Sequence, residues 1–205
     1  MRFFPILILA VAIPFIVAIV MQLGGTTAEE HSGLFERVVP ICYPPGREPE
    51  AYDFQLVDQF GRSVRLSQLW GGAVLITFTY SYCPDVCPLM HLVLNRSLPH
   101  IRPYIAHVLD VSLDPERDTV ERLYHYAMGN RYNWTFLTGD LRALEAVWRA
   151  YGVTRSVTYV GGQPYIVHDV VWAVVKDGRL LGMVRGLPSP ETLSQYLARI
   201  VERRC

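Results

Sequence analysis

Between Arg2 and Glu29 the chain carries no charge, and the run "MRFFPILILAVAIPFIVAIVMQLGG" is apolar almost throughout. A stretch of ~20 apolar residues matches the ~30 Å hydrocarbon core of a bilayer, whereas the apolar part of a cleaved signal peptide is only ~7–15 residues long. The pattern predicts a transmembrane helix over 1–25. Arg2 lies on one side of it and Glu29 and Glu30 on the other, so the positive-inside tendency puts the rest of the chain on the extracytoplasmic face of a single-pass cell-membrane protein. Residues 26–51 mix charges, prolines and glycines without a sustained period and read as a tether. Residues 52–205 then form the folded domain.

Within that domain the period of the apolar positions switches repeatedly. "DFQLVDQFGRSVRLSQL" alternates on both sides of Phe60-Gly61 and predicts a hairpin. "GAVLITFTY" is a continuous apolar run of strand length, as expected of a strand covered on both faces; "IAHVLDVSL" reads as a second buried strand and "NWTFLTG" as a short one. "LMHLVLNRSL" suits a helix. At "DPERDTVERLYHYAMG", Asp118 followed by Glu121 resembles a capping box. Leu141, Leu144, Val147, Trp148 and Tyr151 recur at helical spacing before Gly152. "YIVHDVVWAVV" and "RLLGMVRG" flank the turn "KDG" as a second hairpin. Last, Ser189 and Pro190 open a helix with Leu193, Tyr196, Leu197, Ile200 and Val201 on one face. Strands alternating with helices and closed by a hairpin and a helix predict an α/β domain, a thioredoxin-like sandwich.

Composition removes some function classes. The 205 residues hold 19 basic and 19 acidic side chains, so no net field steers the chain toward nucleic acid. The four cysteines weigh more, because thiols outside the cytoplasm tend to be oxidised. Cys42 and Cys205 lie near opposite ends of the domain, where chain termini often meet, and are candidates for a structural disulfide.

Cys83 and Cys87, in "TYSYCPDVCPLMH", fall between a predicted strand and a predicted helix. Unpaired N–H groups and the positive end of a helix dipole favour thiolate there, and a spacing of four puts both sulfurs on one helical face. The pair is open to three readings: a structural disulfide, a redox-active dithiol, or two ligands of a soft metal such as Cu(I) or zinc, which needs further donors. Of the histidines, His31 and His100 read as solvated, and His107 and His125 as packing or surface residues. His91 sits one turn beyond Cys87, within reach of that sulfur but not of Cys83. His168, read as opening the strand "HDVVWAVV" after the glycine-rich stretch "TYVGGQPYIV", is placed to swing toward a neighbouring loop.

Taken together, "YCPDVCP", "LDPERDT", "LTGD", "AYGV" and "YIVH", in that order from about Phe54 to the last helix, resemble the Sco (SenC) family. The resemblance implies a membrane-tethered, thioredoxin-like copper chaperone. It would serve the dinuclear copper centre of cytochrome c oxidase subunit II, or another copper-site acceptor. It implies Cys83, Cys87 and His168 as ligands of copper, as Cu(I) and also Cu(II), with Cys83 and Cys87 doubling as a redox-active disulfide. At the histidine the chain departs from the pattern: many members read Asp-His, whereas here Val167-His168-Asp169 stands. Aligning on "YIV" puts Asp169 in the ligand's place. Aligning on the apolar strand, with a turn one residue shorter, restores His168. That register is preferred because loops absorb length changes and carboxylate suits Cu(I) poorly. The alternative function is an enzymatic one, a thiol-disulfide reductase acting on the cysteines of the oxidase copper site. A peroxidase-like thiol enzyme ranks third.

Overall fold

The computed structural model describes residues 38–204. The membrane span expected over 1–25 lies outside them, as does Cys205. Among the described residues no helix is long and apolar enough to cross a membrane.

The strands are β1 (Val39–Cys42), β2 (Gln55–Asp58), β3 (Ser63–Arg65), β4 (Ala73–Thr79), β5 (Ile105–Ser112), β6 (Thr135–Thr138), β7 (Arg155–Val160), β8 (Gln163–His168), β9 (Val171–Lys176) and β10 (Arg179–Arg185). The helices are α1 (Val86–Ile101), α2 (Val120–Gly129), α3 (Leu141–Ala150) and α4 (Pro190–Val201). Eight strands form one sheet in the order β1-β10-β9-β4-β5-β6-β2-β3. The central β4, β5 and β6 are parallel and the other pairings antiparallel.

All seven residues of β4 are buried, which is why its sequence shows no polar alternation. Its side chains still alternate between two cores. Val74, Ile76 and Phe78 join Leu144, Val147 and Trp148 of α3 on one face. Ala73 and Leu75 join Met90 and Leu94 of α1, Leu123 of α2 and Leu197 of α4 on the other. Helices thus cover both faces, and the β4–α1 loop emerges at the carboxyl end of the parallel strands, where open α/β sheets place their ligands.

Several elements differ from the sequence reading. Within the expected tether, β1 pairs with β10, and a Cβ on Gly182 would meet the Ile41 carbonyl oxygen at 2.4 Å, so the close approach requires glycine. The second strand of the first hairpin ends at Arg65, and Leu66–Leu69 turn as a 3₁₀-helix. α1 starts three residues earlier than the apolar pattern suggested, capped by Asp85, and runs past Pro99 because Leu94, Leu98 and Ile101 remain buried. α2 is capped by Thr119, whose hydroxyl accepts from the Arg122 N–H, and not by Asp118.

The largest difference concerns "YIVHDVVWAVV". It is not one strand: β8 ends at His168 and β9 begins at Val171. β8 pairs with β7 in a separate two-stranded hairpin. Its turn is Gly161-Gly162, with φ of 58° and 78°, values that suit a two-residue type I′ turn and that glycine adopts without a Cβ clash. His168 therefore closes a hairpin and does not open a core strand.

Candidate metal centre

The loop after β4 runs from Tyr80 to Asp85. The Asp85 carboxylate accepts from the Val86 N–H at 2.5 Å, which starts α1 and puts Cys87 in its first turn. Cys87 donates its own backbone N–H to Cys83 Sγ at 3.3 Å. Cys83 Sγ also lies 3.2 Å from Asp85 Oδ1, to which the thiol donates. Cys83 is 8% exposed and Cys87 fully buried, so a reagent reaches the first sulfur before the second.

Burial and hydrogen bonding separate the two thiols. Hydrogen bonding to Cys87, then to His168 and to backbone N–H groups, holds the Cys83 thiol down at about 5 against the opposing effect of burial. Burial pushes the Cys87 thiol well above its usual range, and a charged Cys83 beside it pushes further in the same direction. The pair titrates as a unit, losing its first proton from the Cys83 side.

His168 is delivered by the β7–β8 hairpin, which is fixed to the cysteine loop at two points. The Tyr80 hydroxyl donates to the Ile166 carbonyl at 3.3 Å and accepts from the Ile166 N–H at 3.2 Å. The Tyr165 hydroxyl donates to Asp85 Oδ2. His168 Nδ1 lies 2.9 Å from the Asp169 carbonyl oxygen. A carbonyl only accepts, so Nδ1 carries the hydrogen, and in the neutral ring Nε2 presents its lone pair. That atom faces Cys87 Sγ at 3.5 Å.

Of the two residues between which the sequence registers choose, His168 is the one that lies beside the sulfurs. Asp169 is engaged elsewhere: its carboxylate accepts from the Thr154 N–H at 2.8 Å and hydroxyl at 2.6 Å. Val167, one position earlier, is 52% exposed on the opposite face of the hairpin. Cys83 Sγ, Cys87 Sγ and a His168 nitrogen all lie within 4.8 Å of one another, and among the described residues they form the one such group of three. Donors at ~2.0–2.3 Å from a common ion would sit ~4 Å apart in a trigonal set, so the cluster has the span of a low-coordinate soft site with an open side.

The remaining candidates fall outside the cluster. His91 is fully buried and bonds Asp110 at 2.7 Å, so it is no ligand. His100, His107 and His125 are exposed. Met90 is core, and Tyr82 is half-exposed beneath two arginines, with Arg122 Cζ 4.2 Å and Arg117 Cζ 4.9 Å from its ring centre. Cys42 sits half-buried in β1, and its expected partner, Cys205, lies outside the described residues.

Sequence reasoning missed what stands behind the loop. Asp118 is buried and accepts from the Ser81 N–H at 3.2 Å, the Ser81 hydroxyl at 2.6 Å and the Ser112 hydroxyl at 2.6 Å. Arg122 donates to Ser81 Oγ and to its carbonyl. "LDPERDT" thus buttresses the cysteine loop across the end of the sheet. The motif was visible, but its inward-turned carboxylate has no local signature.

Such a sheet, with two sulfurs at a strand-to-helix loop and an imidazole from a later hairpin, defines a thioredoxin-like protein built to hold a soft ligand. Residues 44–202 match the family profile described as SCO1/SenC, and the chain belongs to that family. The mitochondrial protein SCO2 homolog of Bos taurus is 32% identical over 159 residues, covering 72% of this chain; the chain spans 58% of that relative's length. Among solved structures, ScoI of Bradyrhizobium japonicum with copper bound superposes with a TM-score of 0.63 at 27% identity, covering 74% of this chain and 99% of that one. Apo Sco1 of Thermus thermophilus superposes with a TM-score of 0.59 at 30% identity, covering 80% and 96%.

Proposed function

We propose that this protein is a membrane-tethered, extracytoplasmic copper chaperone that holds copper with Cys83, Cys87 and His168 and delivers it to the dinuclear copper centre of a cytochrome c oxidase, on its subunit II. The observation that carries the reading is the convergence of the two sulfurs with an imidazole whose free lone pair is set by the Nδ1–H bond to Asp169. The copper-bound relative from Bradyrhizobium japonicum supports copper as the cargo. Cu(I) suits two thiolates and one imidazole, and a set of three leaves room for a thiolate or imidazole of the acceptor to enter, so transfer proceeds by ligand exchange. Thiol-disulfide exchange with an oxidised cysteine pair of the acceptor, which takes the two electrons and leaves as a dithiol, closes the Cys83–Cys87 disulfide, removes both sulfur ligands and assists release. In this reading residues 1–25 anchor the domain and a Cys42–Cys205 bridge ties its ends.

A second reading is favoured by the unequal thiols. A Cys83 that is the less buried of the two and held at about 5, beside a fully buried, protonated Cys87, is the asymmetry a dithiol reductase uses, with one sulfur attacking and the other resolving. The two readings separate at His168. His168→Ala that loses copper but still reduces a disulfide-bonded acceptor peptide assigns both roles to one site. His168→Ala that binds copper as tightly as the unaltered protein removes the chaperone mechanism.

A further inference from the structure

The hairpin that delivers His168 has two outer edges, and they differ. Its Gly161-Gly162 turn joins Val160 to Gln163, the pair that a two-residue turn closes with hydrogen bonds. Pairs alternate along an antiparallel ladder, so Tyr159 with Pro164, and Val157 with Ile166, turn their backbone groups outward. Ile166 bears this alternation out, since its N–H and its carbonyl both meet the Tyr80 hydroxyl.

On β8 the outward positions are already used. Pro164 has no N–H to offer, and Tyr80 takes both groups of Ile166. On β7 the outward groups belong to Val157 and Tyr159, which are 42% and 72% exposed, and among the described residues no strand lies along them. Natural sheets protect such an edge with lysine, proline or a bulge. Residues 156–160, Ser-Val-Thr-Tyr-Val, contain no charge and no proline, pair without a register shift, and are rich in strand-forming side chains. An open row of backbone donors and acceptors of this kind is matched by another extended chain.

The same edge leads to the metal centre. Arg155 stands opposite His168 in the hairpin register, and its guanidinium is fixed by the Leu113 carbonyl and over the Trp148 ring. A strand added to β7 lies ~4.8 Å beyond it and so ~10 Å from β8, a gap that about three or four extended residues span. Cys83 and Cys87 are buried, so an acceptor must dock before its own ligand can reach the site.

We infer that the outer edge of β7 is the docking edge for the metal acceptor of the chaperone reading, on which this rests. The acceptor adds an extended segment of its own as a third strand, and its receiving Cys or His follows a few residues beyond the end that lies at Arg155. A second copy of this chain is the poorer occupant. One six-residue strand falls far short of the ~20–30 residues a side that a stable complex buries, but it suits the brief contact of a transfer partner.

The test is amide hydrogen exchange of the full chain in detergent micelles, without metal, before and after adding the soluble domain of a cytochrome c oxidase subunit II in excess. Exchange at the Val157 and Tyr159 N–H groups should slow at least tenfold, while the inward-turned Thr158 and Val160 N–H groups change little. Rates at Val157 and Tyr159 unchanged within twofold overturn the inference. So does protection that grows with the protein's own concentration and needs no acceptor, which gives the edge to a second copy. Val157→Pro removes one outward N–H and no bond within the hairpin. It should slow Cu(I) transfer to the same domain about tenfold, with copper affinity against a chelator kept within twofold. Unslowed transfer at that affinity also overturns the inference. Should the proline loosen the hairpin, seen as lost copper affinity, the exchange pattern of the unaltered protein decides alone. Failure of the unaltered protein to transfer copper would remove the chaperone reading, whereas the exchange pattern, read without metal, tests the edge separately.

Discussion

At the scale of single residues, the site depends on which protons are held where. Hydrogen bonding lowers the Cys83 thiol to about 5, so its thiolate, the nucleophile, is present well below neutral pH. The rate of iodoacetamide reaction at Cys83 should rise through about pH 5 and level off by neutrality. Rates still climbing steeply at pH 8 would contradict this. Because His168 supplies one of those hydrogen bonds, His168→Ala should move the rise to higher pH. Asp118 offers a second titration: burial raises its carboxyl to about 6, against the lowering effect of the serine hydrogen bonds. With the folded value above the unfolded one, the native state binds the extra proton between about pH 4 and 6. That contribution to stability is full at low pH and lost as pH rises through about 6. As pH rises from 4 to 6, the urea midpoint of the unaltered protein should therefore fall relative to that of Asp118→Asn, and the two should run parallel above pH 6.

At the scale of elements, the hairpin β7–β8 decides whether the imidazole reaches the sulfurs. Its two ties to the cysteine loop, Tyr80 to Ile166 and Tyr165 to Asp85, are side-chain contacts across 86 and 80 positions of sequence. Tyr80→Phe should cost about 1–2 kcal/mol in stability, because the buried Ile166 N–H and carbonyl lose their partner. It should also weaken copper binding more than it slows Cys83 alkylation; equal effects on both would mean that the loop, not the hairpin, had moved. This element was the least legible in the sequence. β4 announces itself by a buried, largely apolar run, β5 by a mostly apolar stretch of strand length, and α3 and α4 by apolar residues at helical spacing. β7 is exposed along most of its length, and its apolar Val157 and Tyr159 face solvent rather than a core. The Gly161-Gly162 turn was its available signal, and reading it as flexibility concealed the hairpin. His91 and Asp110 stayed hidden for another reason: a lone histidine and a lone aspartate in apolar elements have no pattern, and only the packing of α1 on β5 brings them together.

For the molecule as a whole, parallel strands β4 and β5 place the cysteine loop and the "LDPERDT" loop side by side, and the antiparallel β9 returns the chain so that His168, just before it, arrives at the same end of the sheet. The site's logic is thus a property of sheet order. Its two sulfurs were readable from a single short motif, whereas its imidazole required a choice of register; His168 lies beside Cys87 and Asp169 bonds Thr154 instead. Protons compete with the metal for all three donors, so copper affinity should fall as pH is lowered, an outcome checked by competition with a Cu(I) chelator from pH 8 to pH 5. The most direct test of the account is the Cu(I) stoichiometry and affinity of the reduced protein with Cys83→Ser, Cys87→Ser, His168→Ala and Asp169→Ala compared in turn. One tightly bound copper per chain, weakened at least tenfold by each of the first three changes and little by the fourth, is the predicted result. Undiminished binding in His168→Ala, or dependence on Asp169 in its place, would contradict it.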